Sequence, residues 1–216
     1  MTVLAQPTLA PAIPGTPAPR RAVLRIAAGL LAGFLLGVFA RAWMRLISED
    51  PEFSWNGTIF IVAAFTIFGL TQAIVAVGRQ RARRRWTRAI VRAIGIIGMA
   101  PLFGGAGAFM IPTAVGGGLA FARRGWTPTA RWICAGVAML PVAVITIDLV
   151  DAFGFSLHTL LGFLGLVGLY GLVVWMARFT FAAPDGVRPW NRWLTLAITV
   201  TLCGALLLMT IGFAGG

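Results

Sequence analysis

Polar residues in this chain come as short interruptions between long apolar runs, and the interruptions mark the elements. Val23–Met44, Gly57–Val77, Arg131–Val150, Thr159–Ala177 and Trp193–Phe213 are each close to the roughly 20 apolar residues that carry a helix across about 30 Å of hydrocarbon. Runs of this length predict transmembrane helices, because a helix satisfies its own backbone hydrogen bonds where there is no water. The first two runs are separated by Ile47–Asn56, with Glu49, Asp50 and Glu52. After the second comes Arg79–Arg92, which holds seven arginines. Asn56-Gly57-Thr58 fits a glycosylation sequon but reads more simply as a turn and helix start.

Ala89–Ala122 is harder to divide. It is apolar apart from Arg92 and is broken by Pro101, Gly104, Gly105, Gly107, Pro112 and Gly116-Gly117-Gly118. A straight helix of that length would run about 50 Å, long for one span and short for two. Charge arbitrates. If the segment crosses twice, as a tight hairpin turning near Gly104-Gly105, sixteen of the arginines share one side with a single acid, Asp185. The other side keeps Arg41 and Arg45 with Glu49, Asp50, Glu52, Asp148 and Asp151, so the halves carry +15 and −3. A single crossing would put Arg123, Arg124, Arg178, Arg188 and Arg192 outside, in short loops where the positive-inside rule is strongest. Two crossings are therefore expected, seven spans in all, with the N-terminus cytoplasmic and the C-terminus outside. A re-entrant hairpin would give the same sidedness with five full crossings.

Composition agrees. The chain of 216 residues is 59% hydrophobic and 11% charged, with mean hydropathy +0.89, against about 25% charged in a soluble domain. The expected fold is all-α, a polytopic transmembrane helix bundle of about seven spans that includes a short Gly/Pro-rich hairpin. Residues 1–19, rich in Pro and Ala and uncharged, read as a disordered cytoplasmic tail, and 20–216 as the membrane domain. Arg20-Arg21-Ala22-Val23-Leu24-Arg25 loosely resembles a twin-arginine signal, but the chain downstream of it is itself a membrane bundle. All 18 bases are Arg and none is Lys. Schiff-base, pyridoxal and P-loop chemistry, which need a lysine, are excluded. One histidine, His158, cannot make bis-His haem ligation or a His-rich metal site. Cys134 and Cys203 lie in apolar runs and read as packed free thiols. No cofactor, metal or catalytic group is expected. The net +12 is first an insertion signal and not a nucleic-acid signal. All eight tryptophans fall in loops or near span ends, as an interfacial belt would.

Phe39-Ala40-Arg41-Ala42-Trp43-Met44-Arg45-Leu46-Ile47, followed by Pro51-Glu52-Phe53-Ser54-Trp55-Asn56-Gly57-Thr58, resembles uncharacterised multi-pass membrane proteins of GC-rich actinobacteria. The likeness covers about a quarter of the chain and implies no activity. It implies only that the Arg41–Thr58 region is a recognisable unit.

Two sets of residues stand out. Arg25, Gly29, Gly33, Gly37, Arg41 and Arg45 recur every four residues on the first span. Gly29, Gly33 and Gly37 form a glycine zipper that admits a neighbouring helix, with Gly162, Gly165, Gly168 and Gly171 on the sixth span as one candidate partner surface. Arg41 continues the glycine face, and an unpaired arginine deep in a span costs about 2.5–3.5 kcal/mol on insertion scales. The second set is Asp148 and Asp151, three apart on one helix face, with His158 after a short Ala152–Leu157 link. The sequence thus predicts a non-enzymatic membrane protein with a scaffolding, accessory or lipid-interacting role. Its partners would be membrane lipids, with a homo-oligomer or a partner membrane protein as further options. The alternative is a small transporter or channel in which Arg41, Asp148, Asp151 and His158 form a charged outer-leaflet site. Both readings place it in the bacterial cytoplasmic membrane. An intramembrane enzyme built on Ser156 and His158 has too little support. The basic stretch Arg79–Arg92 reads as a topology determinant on the inner leaflet, each arginine worth about 1 kcal/mol against anionic headgroups.

Overall fold

A computed structural model describes residues 19–48, 54–82 and 84–182, all helices and connecting turns. The tail 1–18, the acids Glu49, Asp50 and Glu52, and Asp185, Arg188, Arg192, Cys203 and the span Trp193–Phe213 lie outside the described residues. The elements are α1 (Pro19–Leu46), α2 (Trp55–Arg81), α3 (Arg85–Ile97), two 3₁₀ turns (Ala100–Phe103 and Gly105–Phe109), α4 (Met110–Pro112), a π-turn (Thr113–Gly117), α5 (Gly118–Ala122), α6 (Pro128–Phe153) and α7 (Leu157–Phe181).

The helix starts follow local chemistry. Ser54 caps α2 by accepting from Gly57 N, Thr127 caps α6 by accepting from Ala130 N, and Ser156 caps α7 by accepting from Thr159 N. Pro128 sits at the first position of α6, where its missing N–H costs nothing. Asn56-Gly57-Thr58 is the first turn of α2, not a loop. Gly154 ends α6 at φ 61°, a conformation that favours glycine. This narrows the expected Ala152–Leu157 link: Asp151 and Ala152 are still helical, and the corner is Gly154-Phe155-Ser156. It can be so tight because the Thr159 hydroxyl returns to Gly154 O at 2.6 Å.

The glycine stripe of α1 is a packing surface, and its partner is α2. A Cβ on Gly29 would collide with Ala73, one on Gly33 with Phe65 O, and one on Gly37 would lie 2.8 Å from Val62 Cα. From the other side, a Cβ on Gly69 would lie 2.6 Å from Gly33 Cα. The two helices run antiparallel with their backbones nearly touching. The sixth-span glycines therefore do not meet the α1 zipper. Gly165 instead makes room for the indole of Trp43, whose Nε1 donates to Gly162 O at 2.7 Å, while Gly162 faces Leu149 and Ile47. Nothing lies within 4 Å of a Cβ on Gly168 or Gly171.

The segment after α2 turns back on itself. Pro101 cannot supply the N–H that would extend α3, and the chain tightens into 3₁₀ turns. The turn lies beside Met44, Gly57 and Phe60, with Gly104 against the Phe60 ring. The returning rod packs between α6 and α7, with Gly116 on the Cys134 carbonyl, Gly117 on Val174 and Gly118 on Phe181. The chain doubles back there, and Gly104, Gly116, Gly117 and Gly118 each meet a neighbouring helix. Pro141 interrupts the hydrogen bonding of α6 at mid-helix, and one turn earlier Thr113 Oγ1 donates to Ala138 O at 2.7 Å. That bond falls next to the Val137 carbonyl, four residues before Pro141, which the proline leaves without its helical donor.

Among the described residues, five helical segments are long and apolar enough to cross a membrane: Arg20–Leu46, Trp55–Arg81, Arg85–Phe103, Pro128–Phe153 and Leu157–Phe181. Gly107–Ala122 is a shorter apolar rod. The expected count of seven is thus matched only in part. The core joins Leu36, Trp43, Phe68, Met99, Leu166 and Leu169. Outside it, Leu24, Ile59, Trp132 and Leu157 are 60%, 61%, 76% and 72% exposed. Such an apolar exterior is untenable in water and compatible with an integral membrane protein.

The close approach predicts a contrast between glycines. Gly33→Leu should destabilise the protein by about 1–3 kcal/mol, the usual cost of overpacking. Gly168→Ala should leave stability within about 0.5 kcal/mol of wild type. Thermal unfolding in neutral detergent measures both.

Candidate functional site

The antiparallel α1–α2 pair defines two ends. At one, Arg25 Nη1 donates to Gln80 Oε1 at 2.9 Å. At the other, Arg41 Nε donates to Thr58 Oγ1 at 3.0 Å, and that hydroxyl donates on to Ser54 O at 2.8 Å. Arg41 is half-buried at the α1–α2 seam and Arg45 is exposed.

The other predicted polar residues lie at the Arg41 end but do not converge on it. Asp148 is exposed and lines a groove of about 400 Å³ with Trp43, Ile47, Phe109, Phe153 and Tyr170. Asp151 is exposed beyond it. His158 is half-buried, its ring 4.5 Å from that of Phe153, and its Nε2 is enclosed without a hydrogen-bond partner. No hydrogen bond or ion pair joins Asp148, Asp151 or His158 to one another or to an arginine among the described residues. No group of three His, Cys, Asp or Glu side chains there could hold a metal ion. Cys134 is a buried free thiol.

The opposite end is more organised than the sequence indicated. Its arginines divide into two sets. Arg81, Arg84, Arg85 and Arg124 are exposed, whereas Arg79, Arg88, Arg92 and Arg123 are half-buried. Arg79 Nη1 donates to Phe179 O at 2.8 Å, and Arg92 Nη2 to Ala182 O at 3.5 Å. Both carbonyls belong to the end of α7, which has no further helical N–H to offer them. Arg88 Nε donates to Ala82 O at 3.2 Å, at the end of α2. Between them lies a cavity of about 430 Å³ lined by Arg79, Gln80, Arg88, Arg92 and Phe179. Arg123, at the foot of the returning rod, is held below the ordinary arginine range by burial first, then by Arg92 and Arg79. A guanidinium starts so high that it stays charged near neutrality. Its Nε is buried without a hydrogen-bond partner. Arg131 Nε donates to Ala120 O at 3.1 Å, and Arg178 lies over the Trp175 ring at 4.6 Å.

One turn deeper, Gln72 is 1% exposed. Its Oε1 accepts from Thr180 Oγ1 at 2.7 Å and its Nε2 donates to Gly95 O at 3.4 Å, tying α2, α3 and α7 together. Sequence reasoning passed over Gln72, although it is the one amide inside an otherwise apolar span. It also treated all of Arg79–Arg92 as one surface run. The available signal was the spacing of Arg88, Arg92 and Gly95, which puts two arginines and a small residue on one face of α3. Gly95 does meet α7 there, against Thr180.

The buried amide predicts a coupled pair. Gln72→Leu should cost about 0.6–1.7 kcal/mol, the range for hydrogen bonds between membrane helices, and adding Thr180→Val should cost little more. A double-mutant cycle of unfolding in detergent checks this, and strictly additive losses would exclude the coupling.

No protein-family model, curated protein or solved structure matches this chain.

Proposed function

We propose that the chain is a multi-pass protein of the bacterial cytoplasmic membrane with a non-enzymatic, lipid-interacting role, its basic end seated on the anionic inner leaflet. One observation supports this above others: the charge is sorted by end. Arg25, Arg79, Arg92, Arg123 and Arg131 gather where α2 and α7 finish, and Asp148 and Asp151 lie at the far end with Arg41. Short loops rich in arginine stay cytoplasmic, and an anionic leaflet attracts them. On this reading the hairpin crosses twice, Trp193–Phe213 makes the seventh span, and the N- and C-termini are on opposite sides.

Cysteine accessibility tests the orientation. In a Cys134→Ser, Cys203→Ser background, Asp151→Cys should react with a membrane-impermeant maleimide in intact cells, and Arg124→Cys only after permeabilisation. The reverse pattern would sink the proposal. Alkaline phosphatase fused after Gly216 should be active; an inactive fusion would make the number of crossings even.

The groove at Asp148 supports a second reading, a transporter or channel, because it puts a carboxylate on the wall of an otherwise aromatic and aliphatic recess. Intramembrane carboxylates often mark ion paths. Under the first reading Asp148→Asn changes only abundance. Normal abundance with reduced proton or solute flux in liposomes would favour transport.

A further inference from the structure

The groove beside Asp148 opens between α6, α1, α7 and the 3₁₀ turn that ends at Phe109. Asp148 is exposed on its wall, and Ile47, Phe109 and Phe153 are half-buried, so each keeps surface that a ligand can reach. Buried Trp43 and Tyr170 close its back. Its volume of about 400 Å³ is within the range of small-ligand sites, about 300–1,000 Å³. This end of the bundle is short of bases. The α1–α2 connection, the turn after α3 and the α6–α7 corner with the helix ends beside them carry Arg41 and Arg45 against Glu49, Asp50, Glu52, Asp148 and Asp151. Residues 49–53, outside the described residues, hold three of these acids and no base, so they add to the demand for a cation. However the groups pair, acids outnumber bases there by five to two.

The walls decide which cation fits. Among the described residues no three His, Cys, Asp or Glu side chains gather to coordinate a metal ion. Apolar walls also offer no oxygens to replace the water that a small inorganic ion would shed. An ammonium that carries alkyl or aryl groups has no such need. Its substituents bury against Ile47, its charge is attracted to the rings of Phe109 and Phe153, and Asp148 supplies the opposite charge. An anion is repelled by Asp148, and a neutral apolar molecule would take water from that carboxylate without giving it a partner.

We propose that this groove binds a small organic cation, a monovalent ammonium with an alkyl or aryl substituent, through the Asp148 carboxylate and the rings of Phe109 and Phe153. This rests on the transport reading of the groove and gives its solute a class. Binding and flux are separable. Binding in detergent with no flux in liposomes removes transport and leaves the site standing, whereas proton flux with no ammonium binding keeps transport and removes the site.

The full-length protein in neutral detergent is dialysed to equilibrium against benzyltrimethylammonium, with protein-free micelles as the blank. One cation should bind per chain, saturating below about 10 mM. Asp148→Asn should weaken this about tenfold or more, the loss of one opposite charge at close range. Asp151→Asn, outside the groove, should change it by less than about twofold. Phe153→Leu should weaken it about two- to fivefold through the lost ring, and it serves in place of Asp148→Asn should that variant fail to fold. Four results would overturn the site: no saturable binding, equal weakening by Asp148→Asn and Asp151→Asn, equal affinity for benzenesulfonate, or displacement by phosphatidylcholine at equal affinity, which would mean that a lipid headgroup fills the groove. Sidedness plays no part in detergent, so a reversed orientation in cells would leave this result standing.

Discussion

The contact on which the rest of the bundle depends is the near-touching of the α1 and α2 backbones. Helices in lipid gain nothing from leaving hydrocarbon for hydrocarbon, so their association rests on van der Waals fit and on hydrogen bonds. Gly29, Gly33 and Gly37 supply the fit on one side and Gly69 with Ala73 on the other. Interlocking small residues also fix the register. A slip by one turn, about 5.4 Å, would pull Arg25 off Gln80 and Arg41 off Thr58 at the same time. With the register set, Trp43 stands over Gly165 and donates to Gly162 O, which docks α7. The α2–α7 contact at the other end then becomes available to Gln72 and Thr180.

At the basic end, charge and backbone chemistry serve one another. A helix that stops at the membrane boundary leaves carbonyls without donors. The end of α7 has Arg79 and Arg92 for two of them, and the end of α2 has Arg88 for another. A cation there also meets the negative end of the helix dipole, for about 0.3–1 kcal/mol when exposed and more when partly buried. On the proposed orientation, arginines that direct insertion are also groups that tie helix ends together.

How much of this was legible depends on the kind of force involved. Span positions were readable because hydrocarbon thickness constrains length, and α1, α2, α6 and α7 overlay the apolar runs with a few extra residues at each end. The turn after α3 was readable because Pro101, Gly104, Gly105 and Gly107 crowd into seven residues, whereas Gly29, Gly33 and Gly37 or Pro141 stand in helices that continue through them. The small face of α1 was readable as a packing surface, but its partner is only the single small pair Gly69 and Ala73, outweighed in the sequence by the longer glycine series of α7, of which Gly162 and Gly165 meet other side chains and Gly168 and Gly171 meet nothing within 4 Å. The candidate polar site was the least legible. Asp148, Asp151 and His158 are close in the chain, yet three-dimensional placement puts Asp148 in a groove, Asp151 in the open and His158 against Phe153. The inward turn of Arg79, Arg88 and Arg92 depends on where α7 ends, which no local pattern encodes.

The two carboxylates at the far end remain the least economical feature of the chain. Asp151 lies in the last turn of α6, where the helix dipole disfavours a negative charge by a few tenths of a kcal/mol to about 1, and Asp148 lies one turn before it. Insertion does not call for them either, since acidic residues weigh little in the positive-inside rule. Helix stability and topology together would be served as well by Asn or Ser at both positions. What a carboxylate adds is hydration. The groove beside Asp148 is otherwise walled by Trp43, Ile47, Phe109, Phe153 and Tyr170, a lining that lipid chains would wet as readily as water. An ionised group resists transfer out of water far more strongly than a neutral amide or hydroxyl. Asp148 is thus the one charged group on the wall of that groove, set where α6 faces α1 and α7, and Asp151 lies exposed one turn beyond it.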